Sequence, residues 1–313
     1  MPVSFTEIRN RSVKCGVVKK SVEEADVTHN MEICAEVSLR EDGRIVIDGG
    51  DGVGRITKKG LQLPIGKAAV NPVPRRMIAA ALREVEERGV HVIVSVPKGE
   101  EIAAKTTNSR LGILGGISII GTTGIMRPKS LASFKHSIHQ QLKVCKENGT
   151  CEIVISPGNI SEEAMLNCFP EKVDRSCTVQ SGDYLGYTLK HAAMMKLDFV
   201  LAGHPGKLAK VLAGHFQTHY SKALPANEAV IEFADKGVEK ELLEEMRESP
   251  TVEGITSALM HHGREDLIDD LAEEISERVK KYLKRKTAVP TLLFNMEKRL
   301  IGASKAGKMW AER

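Results

Sequence analysis

Apolar residues recur along this chain with two periods, and the switch between them outlines the elements. Residues Val13 to Lys19 and Ile33 to Leu39 read as strands, the second with some alternation of apolar and polar positions, and "RIVID" reads as a third. A loop dense in glycine follows, from Gly49 to Gly66. Pro74 then opens "PRRMIAAALREVEERG", whose apolar residues fall at helical spacing and whose predicted stop is Gly89. The β-branched run "VHVIVSVP" predicts a strand. Further on, Ser130 to Asn148 is predicted as a helix closed by Gly149, "CEIVIS" as a buried strand, and Ile160 to Phe169 as a short helix. Tyr184 to Met195 is predicted as a helix, "DFVLAG" as a strand and "GKLAKVLAG" as another helix. Asn227 to Lys286 is mostly helical and highly charged, and "TLLFNMEKRLIG" reads as two short strands. The long piece "EDLIDDLAEEISERVKKYLKRK" has acids early and bases late, as suits a solvated helix and its dipole.

Strand–helix alternation after Pro128 predicts a parallel sheet with helices on its faces. The expected fold class is therefore α/β. A mixed α+β domain with glycine-rich loops spans 1–127, and a three-layer α/β domain with a largely parallel sheet and a C-terminal helical elaboration spans 128–313.

Composition changes this picture little. The 313 residues suffice for two domains, with 42% hydrophobic and 27% charged residues. No stretch is apolar enough to span a membrane, and the first residues lack the apolar core of a signal peptide, so a cytoplasmic location is expected. Six cysteines are scattered without a C-x-x-C pair, which argues for reduced thiols in small apolar sites. A net charge of +4 and 4% aromatics argue against a nucleic-acid partner. The bases of interest sit beside glycine loops: Arg55, Arg75, Arg76, Arg110 and Arg127. That placement suits a small polyanionic ligand.

Several loops compete for the chemistry. "RLGILGGISIIGTTGIMRPK" joins an apolar strand to a loop in which Gly115, Gly116, Gly121 and Gly124 let backbone approach a ligand and Thr122 and Thr123 supply hydroxyls. Asp48, Gly50, Gly52 and Gly54 form a D-x-G-x-G-x-G run like the first motif of common S-adenosylmethionine-dependent methyltransferases. "RITKKGLQLPIG" follows where that motif needs a helix, so the expectation is a glycine loop of the first domain. "GASKAGKM" lacks the Ser or Thr of a Walker A, with only five residues after Lys308, and is rejected. Gly203, His204 and Gly206 sit between a strand and a helix, where they either line a ligand crevice or form a tight turn. Asp26 and His29 read either as acid–base machinery or as a capping turn. His215 with His219, and the pair His261–His262, lack a visible third ligand, so no protein metal site is expected.

Four segments together, "DVTHN", "GGDGVGRITKKGLQLPIGKAAVNPVPRRMI", "NSRLGILGGISIIGTTGI" and "VLAGHPGKLAKVLAGHFQTHYSKA", closely resemble the cobalt-precorrin-5B C(1)-methyltransferase (CbiD) family of anaerobic cobalamin biosynthesis. The likeness extends from about Val13 to "LLFNMEKRLIGAS". It implies methyl transfer from S-adenosyl-L-methionine to C1 of a cobalt-corrinoid precursor, with cobalt arriving only inside the substrate, on a fold other than the common class I methyltransferase. Asp26 and His29 stand beside it as the acid–base candidates read from the residues. Donor contacts are expected from Gly115, Gly116, Gly121, Thr122, Thr123, Gly124, Gly203, His204 and Gly206, and substrate carboxylates are expected on Arg55, Arg75, Arg76, Arg110 and Arg127. The alternatives are a non-catalytic corrinoid carrier and a methyltransferase acting at another tetrapyrrole position. Two departures stand out. Asn30 replaces the family's glycine after D-x-T-H, a substitution that a left-handed backbone tolerates. The usual Thr-Thr-Gly segment and its alanine-rich helix have no counterpart, so an uncovered apolar sheet face is expected. Either an upstream segment or a homo-oligomer contact would close it.

Overall fold

The computed structural model describes residues 2–21, 26–121, 131–150, 152–219, 223 and 225–313, without the side chains of 131, 132 and 236. The chain divides into two units, 1–134 and 135–313.

In the first unit, β1 (Val3–Ile8), β2 (Ser12–Val18), β3 (Glu32–Arg40) and β6 (Gly89–Ser95) run antiparallel in that order, and β4 (Ile45–Gly49) closes the sheet parallel to β6. Pleating sends alternate residues to opposite faces. Ile33, Ala35, Val37, Ile47, Val92 and Val94 therefore share one face, which packs under α1 (Pro72–Arg83) and α2 (Gly99–Ala103) through Ile78, Leu82 and Ile102. β1 was not anticipated, because six residues with few apolar positions become a strand only through pairing with β2. Register puts Val13 opposite Val37, Ile8 opposite Val13, and Val3 opposite Val17. All therefore lie on the apolar face. There Val3 is 57%, Ile8 82% and Val13 42% exposed among the described residues.

α1 ends earlier than its sequence suggests, at Arg83 instead of Gly89. The Arg83 guanidinium donates to the carbonyls of Glu87 at 2.5 Å, Arg88 at 3.0 Å and Gly43 at 2.8 Å, which pins 84–88 as a turn. Gly89 then starts β6 against Arg40.

The second unit carries the predicted parallel sheet. β8 (Glu152–Ser156), β9 (Thr178–Gln180), β10 (Asp198–Gly203) and β11 (Thr291–Phe294) are parallel in the order β9-β8-β10-β11, and β12 (Leu300–Ala303) adds antiparallel to β11. Strand residues alternate between two cores. Ile153, Ile155, Phe199, Leu201 and Leu293 pack with α3 (Leu131–Glu147), α5 (Leu185–Met194), α7 (Asn227–Ala234), α8 (Lys240–Glu248), α9 (Val252–His261) and α10 (Glu265–Leu283). Val154, Val200, Ala202, Leu292 and Phe294 pack instead with α4 (Asn159–Cys168) and α11 (Lys305–Glu312) through Met165 and Trp310. The result is a three-layer α/β unit.

One detail differs from expectation. The helix after β10 is short, α6 (Pro205–Leu208) continued by a 3-10 turn, Ala209–Val211. In "GASKAGKM", Ser304 accepts from the Gly307 N–H at 3.0 Å and caps α11. Of the five described cysteines, Cys34 and Cys145 are buried, Cys15 and Cys177 half-buried and Cys168 exposed; Cys151 lies outside the described residues.

Candidate functional site

The glycines of the first unit divide by what surrounds them. Gly52 adopts φ +69° with its α-carbon pressed against the Val96 carbonyl, and any Cβ there would overlap that oxygen. Gly99 and Gly116 press in turn on the Gly52 carbonyl, which also accepts from the Ile117 N–H at 3.0 Å. The D-x-G-x-G-x-G run is therefore a close backbone junction, and β5 (Arg55–Ile56) follows it, paired with β7 (Ile113–Leu114), with no helix. Gly116, expected at a ligand, belongs to this packing. Around Gly115 at φ +79° and Gly121 at φ +135°, by contrast, nothing among the described residues lies within 4 Å of a Cβ. Thr122, Thr123, Gly124 and Arg127 lie outside the described residues.

The basic candidates fare differently from one another. Arg55 pairs with both oxygens of Asp48, at 3.3 and 3.2 Å, and remains half exposed. Burial works to raise the Asp48 pKa, but the Arg55 hydrogen bonds and the Gly49 N–H outweigh it and hold the carboxyl below its ordinary value. Arg75 turns inward. Its guanidinium donates to the carbonyls of Val70 at 2.7 Å, Ile47 at 2.5 Å and Ala68 at 3.2 Å, and burial lowers its pKa. Against expectation, Arg75 staples strand to loop where a clamp for external carboxylates was foreseen. Arg76, the next residue, is exposed, and Arg110 is half-buried.

The "DVTHN" segment forms a turn. The Thr28 N–H and hydroxyl donate to Asp26 Oδ1 at 2.9 and 2.8 Å, and Lys19 Nζ reaches Asp26 Oδ2 at 2.7 Å and also the Thr28 hydroxyl. Burial raises the Asp26 pKa, but these bonds prevail and hold it well below the carboxylate range. Asp26 is thus a poor proton acceptor. His29 does not contact the Asp26 carboxylate. Its Nδ1 accepts from the Ser21 N–H at 3.2 Å, so the neutral ring carries its proton on Nε2. Asn30 has φ +59°, the left-handed conformation foreseen for it.

In the second unit, four parallel strands end in loops at one edge. Gly203 is buried against Leu208, so its lack of a side chain serves packing. His204 caps α6, its Nδ1 accepting from the Gly206 N–H at 3.0 Å, and its Nε2 therefore donates to Glu253 Oε2 at 2.6 Å. Glu253 Oε1 accepts from the Met296 N–H at 3.1 Å, so one carboxylate joins the loop after β10, the start of α9 and the loop after β11. Nothing in the sequence marks Glu253, because its partners lie far away in the chain. Asp183, after β9, accepts from Lys207 Nζ at 3.3 Å and Thr218 Oγ1 at 3.4 Å. The opposite edge bears a polar cavity lined by residues that include Glu152, Asp198, Phe199 and Arg285, and within it Arg285 pairs with Asp198 at 3.3 Å.

His139, on α3, meets His191 edge-on at 6.2 Å, and burial followed by the charge of His191 pushes its pKa down. Among the described residues no group of three or more His, Cys, Asp or Glu side chains has a metal-binding arrangement, and no helix is long and apolar enough to cross a membrane.

A mixed sheet stapled by close-packed glycines, and a separate parallel sheet with a polar carboxyl edge, define a two-unit α/β protein. The family model described as CbiD matches residues 1–128, and that of the CbiD C-terminal domain matches 217–305. A cobalt-precorrin-5B C(1)-methyltransferase of Geobacillus sp. (strain WCH70) is 39% identical over 96% of this chain and 84% of that protein. One of Desulfitobacterium hafniense (strain Y51) is 40% identical over 88% of this chain and 72% of that protein. A crystal structure of cobalamin biosynthesis protein (cbiD) from Archaeoglobus fulgidus is 29% identical, with a TM-score of 0.31 over 72% of this chain and 69% of that one. The chain belongs to the cobalt-precorrin-5B C(1)-methyltransferase (CbiD) family.

Proposed function

We propose that this chain methylates C1 of cobalt-precorrin-5B with S-adenosyl-L-methionine, giving cobalt-precorrin-6A in anaerobic cobalamin biosynthesis. The observation that carries the reading is 39% identity to a protein of that name over 96% of the chain. When bound, the donor supplies an electrophilic methyl: the ring carbon's electron pair forms the new bond while the carbon–sulfur bond breaks onto sulfur, leaving S-adenosylhomocysteine. The protein's task is then mainly alignment.

Its own residues divide that task. The corrinoid carries many acetate and propionate groups, and guanidinium forks bind carboxylates bidentately. Arg55, Arg76 and Arg110 are proposed for them, with Arg127 kept from the sequence reading; Arg75 is withdrawn because carbonyls hold it. Gly115 and Gly121 leave room at the glycine loop, with Thr122, Thr123 and Gly124 retained beside them. The Gly206 turn, held by His204, shapes the strand edge of the second unit. His29, with its proton on Nε2, is the proposed acid–base group, and Asp26 fixes the turn that carries it. Cobalt enters as part of the substrate, and a cytoplasmic location is proposed.

Incubating the chain with cobalt-precorrin-5B and S-adenosylmethionine is expected to give a product one methyl heavier. An unchanged substrate mass, with donor binding demonstrated by titration, would refute the reading, and corrinoid binding without donor binding would leave a corrinoid carrier. A methyl on a carbon other than C1 would redirect it to another tetrapyrrole position.

A further inference from the structure

The guanidiniums proposed for the substrate all lie in the first unit, and the second unit carries a basic cluster of its own. On α3, Lys135, His139 and Lys143 recur every four residues and His136 precedes His139 by three, so the four share one stripe of the helix. On α5 and its N-cap, Tyr184, Tyr187, His191 and the exposed Met194 recur three or four residues apart and form a second stripe. The two stripes meet. Lys135 Nζ lies 5.8 and 5.4 Å from the ring centroids of Tyr184 and Tyr187. His139 meets His191 edge-on at 6.2 Å. The His191 ring stacks on Tyr187 at 3.8 Å, and its Nδ1 donates to the Tyr187 carbonyl at 2.9 Å, which fixes its orientation.

Positive charge in this cluster is uncompensated. Burial first, and then the charges of His191, His136 and Lys143, push the His139 imidazole toward its neutral form. Lys135, His136 and Lys143 form no ion pair among the described residues, although Lys135 and His136 are exposed. A solvated helix face elsewhere in the same unit looks different: on α10, Arg278 pairs with Glu274 at 2.6 Å and Lys280 with Glu277 at 2.8 Å. The place of the cluster follows from one hydrogen bond. The N–H of Gln180, the last residue of β9, donates to Gln141 Oε1 on α3 at 3.2 Å. From Gln141 the helix runs on toward the start of β8, so the turns before it, with Lys135, His136 and His139, lie at the carboxyl edge of the sheet. α5 leaves that same edge directly after β9.

We infer that the paired stripes of α3 and α5 form a docking face for the corrinoid substrate, with Lys135, His136, His139 and Lys143 on its acetate and propionate groups and Tyr187 against the apolar rim of the macrocycle. Cations without an internal partner attract a polyanion, and the aromatic floor holds Lys135 in place before the ligand arrives. The methyl donor does not suit this face, because its sulfonium and ammonium would meet like charge. The inference rests on the methyl-transfer reading, because that reading supplies the ligand.

The test titrates the full chain with cobalt-precorrin-5B. Lys135→Glu combined with His136→Glu reverses charge at exposed positions. It should leave the melting temperature unchanged and weaken substrate binding by about tenfold or more, with S-adenosylhomocysteine affinity unmoved. The charge-keeping pair, Lys135→Arg with His136→Lys, should bind within about twofold of the wild type. Raising the ionic strength should cost the wild type more affinity than the reversed variant, where the attraction that salt screens is already lost. In the wild type, substrate should slow modification of His136 by diethyl pyrocarbonate while the exposed His261 and His262 react as before, a readout that stands even if a variant fails to fold. Wild-type binding with the reversed variant within about twofold of it, or no shielding of His136, overturns the docking face while leaving methyl transfer intact. A fall in S-adenosylhomocysteine affinity in place of substrate affinity assigns the face to the donor and overturns the inference. A wild type that binds no cobalt-precorrin-5B overturns the methyl-transfer reading and the docking face together.

Discussion

Arg75 and Arg76 are adjacent in sequence, and their replacement by alanine should have opposite consequences. Arg75 places three donors on carbonyls of its own unit, those of Val70, Ile47 and Ala68. Val70 and Ala68 are fully buried, so water cannot readily take over their carbonyls once the guanidinium is gone. A hydrogen bond to a charged group contributes about 1.5–3 kcal/mol net, and three on one side chain do not add in full. We take about 3–4 kcal/mol for Arg75→Ala, which at about 3 °C per kcal/mol lowers the melting temperature by roughly 10 °C. Arg75→Lys keeps the charge but brings one compact ammonium to three acceptors, so it should recover only part of that loss. Arg76→Ala removes an exposed side chain and should stay within about 0.5 kcal/mol of the wild type while weakening corrinoid binding. Guanidinium chloride unfolding gives the stabilities, and titration with cobalt-precorrin-5B gives the affinities. If Arg75→Ala unfolds at the wild-type midpoint yet binds substrate poorly, the guanidinium is a ligand clamp after all and the assignment made from its three carbonyls is wrong.

Two further outcomes follow from the same unit. Gly52→Ala should cost more than about 3 kcal/mol, because left-handed strain of about 1–2 kcal/mol adds to the overlap with the Val96 carbonyl. Gly43→Ala, at φ +68° with nothing within 4 Å, should cost the strain alone; equal unfolding midpoints for the two would show that the backbone junction carries no weight. Asp26 has a folded-state pKa below its unfolded one, so its contribution is present above the unfolded value of about 3.9 and is lost as pH falls through the folded value. The stability gap between the wild type and Asp26→Asn should accordingly be full at neutral pH and close progressively in acid; a gap that is flat from pH 7 to 2 would contradict the ion pair with Lys19 as its source.

Local pattern by itself determined much of this protein. The β-branched run of β6, the amphipathic α10 and the strand–helix alternation around β8 and β10 encode their conformation in adjacent residues, because period and capping act over a few positions. Asn30 likewise declared its left-handed backbone by residue type. Elements that exist only through pairing were not legible. β1 needs β2, and the three residues of β9 need β8, since isolated short strands have no internal hydrogen bonds.

The candidate site was legible as residue types but not as roles. A row of arginines beside glycines suggests a polyanion, yet only the folded chain shows that Arg75 faces carbonyls contributed by residues as distant as Ile47. Gly52 and Gly116 look alike in sequence to Gly115 and Gly121. The first two are held in backbone contact with each other, because strand pairing of Arg55 with Leu114 brings the two glycine runs together in one register, while the second two meet nothing within 4 Å among the described residues. His204 became a bridging residue only when folding brought Glu253 to its free nitrogen. Propensity and period are properties of neighbours along the chain. Which donor meets which acceptor is decided by contacts between distant residues, and those come into existence only when the sheets close.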